Sequence, residues 1–139
     1  MTAALYHAAL VSRAKTATGK GRLAQPTVSI TLDNPLCGDR VTLDIVTRDH
    51  LLQEIGHQVR GCLLCEAAAA TIAEAGQHQS PETLRELILA ARAMMADGTP
   101  APADWSTLEV FTPVHDSKSR RDCVLLPFMA LEKALDQIG

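Results

Sequence analysis

Hydrophobic and polar positions follow two different periods along the chain. Residues 27–32 and 40–47 alternate with a period of two, which is typical of strands with one buried face. The segment 33–39 between them is rich in turn-forming residues, so the two strands are predicted to pair as an antiparallel hairpin. A weaker alternation over 51–60 indicates a third strand.

Four other segments have the composition or apolar spacing of helices. An alanine-rich helix is expected over 2–15, followed by a polar loop over 16–26. A second helix is predicted to begin at Cys62 and to end at Gly76. Ser80 has the position of an N-cap for a third helix, whose buried stripe is Leu84, Leu87, Ile88, Ala91, Met94 and Met95.

The last helix carries its apolar stripe on Val124, Phe128, Leu131, Leu135 and Ile138. Proline lacks a backbone N–H, so Pro127 is expected in the first turn, where the donors are unpaired anyway. This would place Cys123 at or just before the helix start. A Pro/Gly-rich loop is expected over 97–104, with a short helical turn over 105–111.

This order of elements predicts the fold class α+β. A small three-stranded antiparallel sheet would carry helices packed on one face. The chain has 139 residues, so we expect a single domain over 1–139.

Composition narrows the classes of function. The net charge of −3 and an aromatic content of 3% argue against a nucleic-acid partner. No run approaches the ~20 apolar residues that would span a bilayer, so a membrane partner is not expected either. We expect a cytoplasmic protein, where cysteines more often serve metal binding or thiol chemistry than disulfides.

Three cysteines occupy positions that favour an anionic sulfur. Cys37 lies in the predicted turn, and Cys62 and Cys123 lie at predicted helix starts, where the helix dipole lowers the pKa of a thiol. Zinc requires four ligands, and a carboxylate is an acceptable one. Asp39 lies two residues beyond Cys37. The sequence therefore offers a metal set of three cysteines and one aspartate: Cys37, Asp39, Cys62 and Cys123.

The remaining candidate ligands are open to more than one interpretation. Cys65 forms a CxxC motif with Cys62 and is an extra ligand, a resolving thiol or a small buried side chain. The five histidines do not cluster in the sequence. His115, near the Cys123 segment, is the best histidine candidate for a ligand.

Three segments resemble motifs of the NifU/IscU/SufU family of iron–sulfur cluster assembly scaffolds. Residues 34–39 (NPLCGD) match its first motif, Gly61-Cys62 its second, and residues 119–128 (SRRDCVLLPF) its third. The resemblance implies a SufE/NifU-like fold and assigns the metal ligands to Cys37, Asp39, Cys62 and Cys123. It is closest to the SufU-like branch, which carries an insertion where this chain has residues 94–112.

Residues near the third motif refine this resemblance. Arg120 falls on an arginine that SufU-like proteins keep near the metal, whereas the IscU branch has a histidine where this chain has Asp122. The implied cofactor is Zn²⁺ or a [2Fe–2S] cluster. The implied partners are a cysteine desulfurase and apo iron–sulfur acceptor proteins.

Two functions follow from this resemblance, and both differ from those of a conventional enzyme. One is a scaffold for a nascent [2Fe–2S] cluster, with Asp39 as its labile ligand. The other is a zinc-dependent sulfur acceptor, in which Cys37 or Cys123 takes the sulfur and Arg120 steadies the charge. The alternative is a small binding protein with a purely structural zinc.

Overall fold

One helix, three strands and then further helices follow one another along the chain, as the sequence predicts. The computed structural model describes residues 3–35 and 38–138. The elements are α1 (Ala3–Thr16), β1 (Val28–Asn34), β2 (Asp39–Arg48), β3 (Leu51–Arg60), α2 (Leu63–Gly76), α3 (Pro81–Asp97), a 3₁₀ helix (Ala103–Asp116) and α4 (Lys118–Ile138).

The three strands form an antiparallel sheet in the order β1-β2-β3. Val41, Leu43 and Ile45 of the central strand are fully buried. The register shifts between Val46 and Thr47, because β3 has an extra residue there. The shift explains why Leu52 and Ile55 are both buried although their spacing is odd. The predicted α+β class and its three-stranded sheet are confirmed.

Helices α2 and α4 contact the sheet and each other, and form the layer that covers its apolar side. The contact face of α2 is built from small side chains, since residues 67–70 are all alanines and all fully buried. Helix α1 packs on α2, while α3 and the 3₁₀ helix pack on α4. The buried methionines of α3, Met94 and Met95, belong to this core, as predicted.

The start of α4 differs from the sequence prediction. The helix begins at Lys118, so Cys123 is its sixth residue and Pro127 its tenth. The expectations that Pro127 lies in the first turn and Cys123 at the helix start are therefore wrong. An interior proline costs about 3 kcal/mol. Here Pro127 is itself buried within the long apolar face that α4 packs against the core, and this packing offsets the cost.

The predicted start of α3 at Ser80 is confirmed, and the structure also shows how the helix ends. The Ser80 side chain accepts a hydrogen bond from the N–H of Thr83 at 3.2 Å, and Gly98 ends the helix in a left-handed conformation with φ of 76°. The helical turn expected over 105–111 is part of a longer 3₁₀ helix, Ala103–Asp116, which has a kink at Trp105. Within the described residues, every helix is too short or too polar to cross a bilayer.

The loop after α1 crosses the outer edge of β3. The N–H of Gly21 donates to the His57 carbonyl at 2.7 Å, and the Thr18 carbonyl bonds His57 Nε2 at 2.7 Å. A side chain at Gly56 would collide with this loop, since its Cβ would lie 2.6 Å from the Gly21 carbonyl oxygen. Burial lowers the pKa of His57, so this histidine is a neutral part of the core.

Past this edge, the loop is anchored to the other face of the sheet by Asp44. The fully buried Asp44 carboxylate accepts hydrogen bonds from Arg22 Nε at 2.7 Å, Ser29 Oγ at 2.6 Å and the N–H of Leu23 at 3.0 Å. Burial raises the pKa of Asp44, but these hydrogen bonds and the charge of Arg22 outweigh it. The net result is a pKa below the ordinary value.

Replacing this carboxylate gives a prediction about stability. Asp44→Asn should lower the free energy of unfolding by about 1–3 kcal/mol at neutral pH, because it weakens charge-assisted hydrogen bonds in a buried site. The pKa of Asp44 is lower in the folded state, so its contribution is full above the unfolded pKa of about 3.9 and is lost as the pH falls through the folded value.

Urea denaturation between neutral and acid pH measures both effects. The difference between parent and variant should shrink below about pH 4. Asp136→Asn is the control, since it breaks the exposed ion pair with Arg85 and should change stability little. A difference for Asp44→Asn that stays constant through the acid range would contradict this account.

Candidate metal centre

Three of the predicted ligands meet at one end of the sheet. One carboxylate oxygen of Asp39 and the sulfurs of Cys62 and Cys123 all lie within 4.8 Å of one another. Asp39 and Cys123 are buried and Cys62 is half-buried. We call this group the Asp39–Cys62–Cys123 cluster. Its members come from β2, from the N-cap of α2 and from α4, so only the folded chain brings them together.

Asp39 is held by the connection between β3 and α2. Its Oδ1 accepts a hydrogen bond from the N–H of Cys62 at 3.2 Å, and the Cys62 thiol lies 3.5 Å from Oδ2. Gly61 makes this approach possible, because a Cβ there would lie 2.6 Å from the Asp39 Cγ. The glycine that precedes Cys62 therefore makes room for the carboxylate.

Cys62 is the N-cap of α2, as the sequence predicts. Its backbone is extended, with φ of −80° and ψ of 166°, and its side chain makes no capping hydrogen bond. The sulfur is thus directed to Asp39 rather than to the amides of its own helix. The N-terminus of α2, where the helix dipole is positive, therefore lies beside both the sulfur and the carboxylate.

The position of Cys123 within α4 differs from the sequence prediction. It lies in the second turn of α4 rather than at its start, so the predicted influence of the dipole of α4 on its thiol does not apply. Its sulfur is near Cys62 because α4 packs on α2. The side chain is only 7% exposed, which argues against easy movement.

Two cavities meet at Cys62. A cleft of about 700 Å³ lies on the polar side, and a smaller cavity of about 360 Å³ lies on the apolar side. The cleft is lined by Asp33, Gly38, Asp39, Arg40, Arg60, Gly61 and Cys62. The smaller cavity is lined by His7, Leu10, Cys62, Leu63, Leu64, Pro113, Val114 and Arg120. Of the cysteines that the structure describes, Cys62 is therefore the most accessible.

Arginines contribute positive charge to both cavities. Arg60 lines the cleft and Arg120 lines the apolar cavity, and the guanidinium of Arg40 bonds Asp33 at 2.6 Å. Among the described residues, neither Arg60 nor Arg120 has an ion-pair partner. Their charges are therefore available to an anion that enters beside Cys62.

Of the other candidates, Cys65 and His115 are described by the structure and do not join the cluster. Cys37 lies outside the described residues, so its assignment stays a prediction. Cys65 is fully buried in the hydrophobic core, in keeping with its reading as a small buried side chain. His115 contacts Asp116 at 3.1 Å instead of a cysteine. Sequence reasoning missed Arg60, although its position directly before Gly61-Cys62 could have indicated it.

The donor set suits a metal ion of intermediate softness. Thiolates combined with a carboxylate are typical zinc ligands, and thiolates also hold iron–sulfur clusters. Tetrahedral zinc keeps sulfur and oxygen ligands about 3.5 Å apart, which is close to the separation of Cys62 and Asp39. A fourth ligand is needed, and in the sequence Cys37 comes directly before Gly38, which lines the cleft beside Asp39.

Two characterised proteins are similar to the chain over nearly its whole length. The iron–sulfur cluster assembly scaffold protein IscU of Thermotoga maritima is 23% identical over 135 residues, which cover 97% of this chain and 95% of IscU. The zinc-dependent sulfurtransferase SufU of Bacillus subtilis is 24% identical over 132 residues, which cover 94% of this chain and 89% of SufU. No model of a known protein family matches the chain.

Solved structures share the fold. The N-terminal part of a NifU-like protein from Brucella abortus superposes with a TM-score of 0.87 at 29% identity, over 93% of this chain and 90% of that one. A SUF-system protein from Fervidobacterium islandicum AW-1 gives a TM-score of 0.86 at 21% identity, over 96% and 99% of the two chains, which bears on the fold alone. Together with the three sequence motifs and the cluster, these likenesses confirm the predicted resemblance of the chain to the NifU/IscU/SufU family.

Proposed function

We propose that the protein serves iron–sulfur cluster assembly as a metal-dependent acceptor of sulfur from a cysteine desulfurase. Its metal ligands would be Cys37, Asp39, Cys62 and Cys123, and its place of action the cytoplasm. The observation that carries the proposal is the convergence of the cluster in a chain similar to SufU and IscU. Zinc would serve as the resident metal.

The chemistry of the proposed step is thiol exchange. A thiolate of this protein attacks the terminal sulfur of a persulfide on the desulfurase, so that a new persulfide forms here and the desulfurase thiolate leaves. A bound zinc ion would keep its cysteine ligands in the thiolate form. Arg60 and Arg120 would attract the anionic persulfide to the two cavities beside Cys62, since each of these arginines lines one of the cavities.

We propose Cys37 as the thiol that accepts the sulfur. Of the two acceptors that the sequence suggested, Cys123 is the weaker, because it is buried in the second turn of α4. Pro35 and Gly38, which flank the segment containing Cys37, are both exposed. Asp39 and Cys62 would then remain as ligands while Cys37 reacts.

A second candidate function is a scaffold for a [2Fe–2S] cluster, built on the same ligands. The oxygen ligand favours it, because a carboxylate binds iron less tightly than a thiolate and would ease transfer to apo acceptor proteins. The similarity to IscU covers 97% of the chain and also favours it. A protein with a purely structural zinc would share the metal but would not respond to a desulfurase.

Metal content tests the proposed site directly. The protein purified without added metal or chelator should contain about one zinc ion per chain, and Cys62→Ser or Cys123→Ser should lose most of it. Elemental analysis gives the answer. Cys65→Ala is the matched control and should retain the metal, since Cys65 lies outside the cluster. Iron with equal acid-labile sulfide would instead support the scaffold, and absence of any metal would contradict both.

The role of Gly61 yields a second prediction. Gly61→Ala should weaken zinc binding by about 10- to 100-fold, because the added methyl group must displace the Asp39 carboxylate. Competition with a colorimetric chelator measures the affinity. In an Asp39→Ala background the same change should add little, because its effect acts through that carboxylate. Equal losses in both backgrounds would show that Gly61 acts in another way.

Desulfurase turnover tests sulfur transfer. With a cysteine desulfurase of the same organism, the protein should raise the rate of alanine release from L-cysteine, and Cys37→Ser should return it to the rate of the desulfurase alone. Mass spectrometry should find the persulfide on the tryptic peptide 23–40, whose one cysteine is Cys37. Cys65→Ala should behave like the parent. Unchanged turnover throughout the cysteine series would reject sulfur acceptance.

A further inference from the structure

Cys65 has no role in the proposed metal site, yet it shares the first turn of α2 with Cys62. Cys62 is the N-cap and Cys65 the third residue of the helix. The N–H of Glu66 donates to the Cys62 carbonyl at 3.2 Å, so the turn between the two cysteines is regularly hydrogen-bonded. A CxxC pair at a helix N-terminus is the arrangement in which thiol–disulfide oxidoreductases carry their reactive cysteines.

The start of α3 has the same backbone geometry as the start of α2 and shows how close two side chains at these positions can come. At the start of α3 the N-cap Ser80 has φ of −79° and ψ of 156°, close to the −80° and 166° of Cys62. There the hydroxyl oxygens of the N-cap and the third helical residue, Ser80 Oγ and Thr83 Oγ1, lie 3.0 Å apart. Side chains at these two positions can therefore touch when the N-cap is extended.

Two cysteines at these positions can come close enough to form a disulfide. A disulfide requires an S–S distance of about 2.0 Å and a Cβ–Cβ separation of about 3.5–4.5 Å. Pairs three apart in the middle of a helix are wider, at about 5–6 Å between Cβ atoms. The extended N-cap shortens this gap, C–S bonds are longer than C–O bonds, and the side chain of Cys65 leans toward the N-terminus, as all helical side chains do.

We infer that Cys62 and Cys65 form a dithiol pair that is reversibly oxidised to a disulfide by a small disulfide of the glutathione class. The Cys62 thiolate attacks one sulfur of oxidised glutathione and releases one glutathione thiolate. The Cys65 thiolate then attacks Cys62 of the mixed disulfide and releases the second. Two protein thiols are oxidised, one glutathione disulfide is reduced to two thiols, and the protons pass to the released thiolates or to water.

Burial of Cys65 is compatible with this role. It is 0% exposed, so glutathione cannot reach it directly, whereas the half-buried Cys62 opens on both cavities. The sulfur that Cys65 must attack is that of its neighbour in the same turn. The structure thus assigns the two sulfurs different parts: Cys62 reacts first, and Cys65 resolves the mixed disulfide.

The disulfide would also compete with metal binding, a consequence that rests on the proposed function. In the cluster the Cys62 sulfur lies 3.5 Å from Asp39 Oδ2, where it would bind the metal as a thiolate, and a sulfur in a disulfide is no longer a thiolate. Metal and disulfide therefore exclude each other at Cys62. At a free zinc concentration 100 times the dissociation constant, the ratio of disulfide to dithiol should fall about 100-fold.

The experiment equilibrates the full chain, with and without zinc, in buffers of graded reduced-to-oxidised glutathione ratio. After acid quenching, alkylation and trypsin digestion, the peptide 61–85 reports the result, because it contains Cys62 and Cys65 and no other cysteine. We expect a peptide lighter by two hydrogen atoms that resists alkylation until it is reduced. Cys37 and Cys123 lie on the separate peptides 23–40 and 122–133, so other pairings are distinguishable.

Single variants test the order of the two steps. Cys65→Ala should stop at a glutathione adduct on Cys62, whereas Cys62→Ala should leave Cys65 unmodified in the folded protein. Circular dichroism confirms that each variant is folded. The pair Ser80→Cys and Thr83→Cys, placed in a chain with Cys62→Ser and Cys65→Ala, is the geometric control and should close in the same buffers.

Three results would overturn the inference. The first is a peptide 61–85 that stays fully alkylated where the control pair has closed. The second is a bond from Cys62 to Cys37 or Cys123 in place of Cys65, and the third is a glutathione adduct on Cys65 in Cys62→Ala. If the disulfide forms but zinc leaves it unchanged, the inference stands, and the assignment of Cys62 as a metal ligand in the proposed function fails.

Discussion

The close approach of Asp39 to the chain at Gly61 and Cys62 is the contact on which the site depends. The carboxylate at the start of β2 accepts the N–H of Cys62, and so joins the central strand to the N-terminus of α2. No side chain larger than hydrogen fits at Gly61 without moving it. Strand pairing between β2 and β3 fixes this position, so the rigidity of the sheet is passed directly to the ligands. A buried carboxylate so close to a thiol is stabilised by the N–H and the helix dipole, and a bound cation would stabilise it further.

The sequence predicted correctly those helix starts that depend on neighbouring residues. Ser80 with Pro81, and Gly61 with Cys62, marked the starts of α3 and α2 correctly, because capping depends on neighbouring residues. Alternation over 27–32 and 40–47 located β1 and β2, since the apolar side chains of each strand lie on one face of the sheet. Pro127 misled the prediction for α4, because its helix-breaking tendency is local whereas the packing of α4 that outweighs it involves the sheet and three other helices.

The sequence predicted which residues form the candidate site, but not how the fold brings them together. The motifs indicated Asp39, Cys62 and Cys123, and the structure brings these three together. The burial of Cys123, by contrast, arises from the packing of α4 on α2, which no spacing in the sequence encodes. The two cavities depend likewise on residues far apart in the chain, such as His7 of α1 and Pro113 of the 3₁₀ helix. Arg60 is a candidate functional residue only because it lines the cleft beside Cys62.

The loop that crosses the outer edge of β3 has a consequence for self-association. Exposed sheet edges are templates on which further strands can add, and natural proteins cover or interrupt them. Here the backbone bonds between the loop and His57 occupy part of one edge, and Arg22 and Asp44 anchor the covering segment. Within the described part of the chain, β1 is the strand at the opposite edge of the sheet. Growth of the sheet by strand addition, whether in a dimer or in an aggregate, is thereby directed to β1.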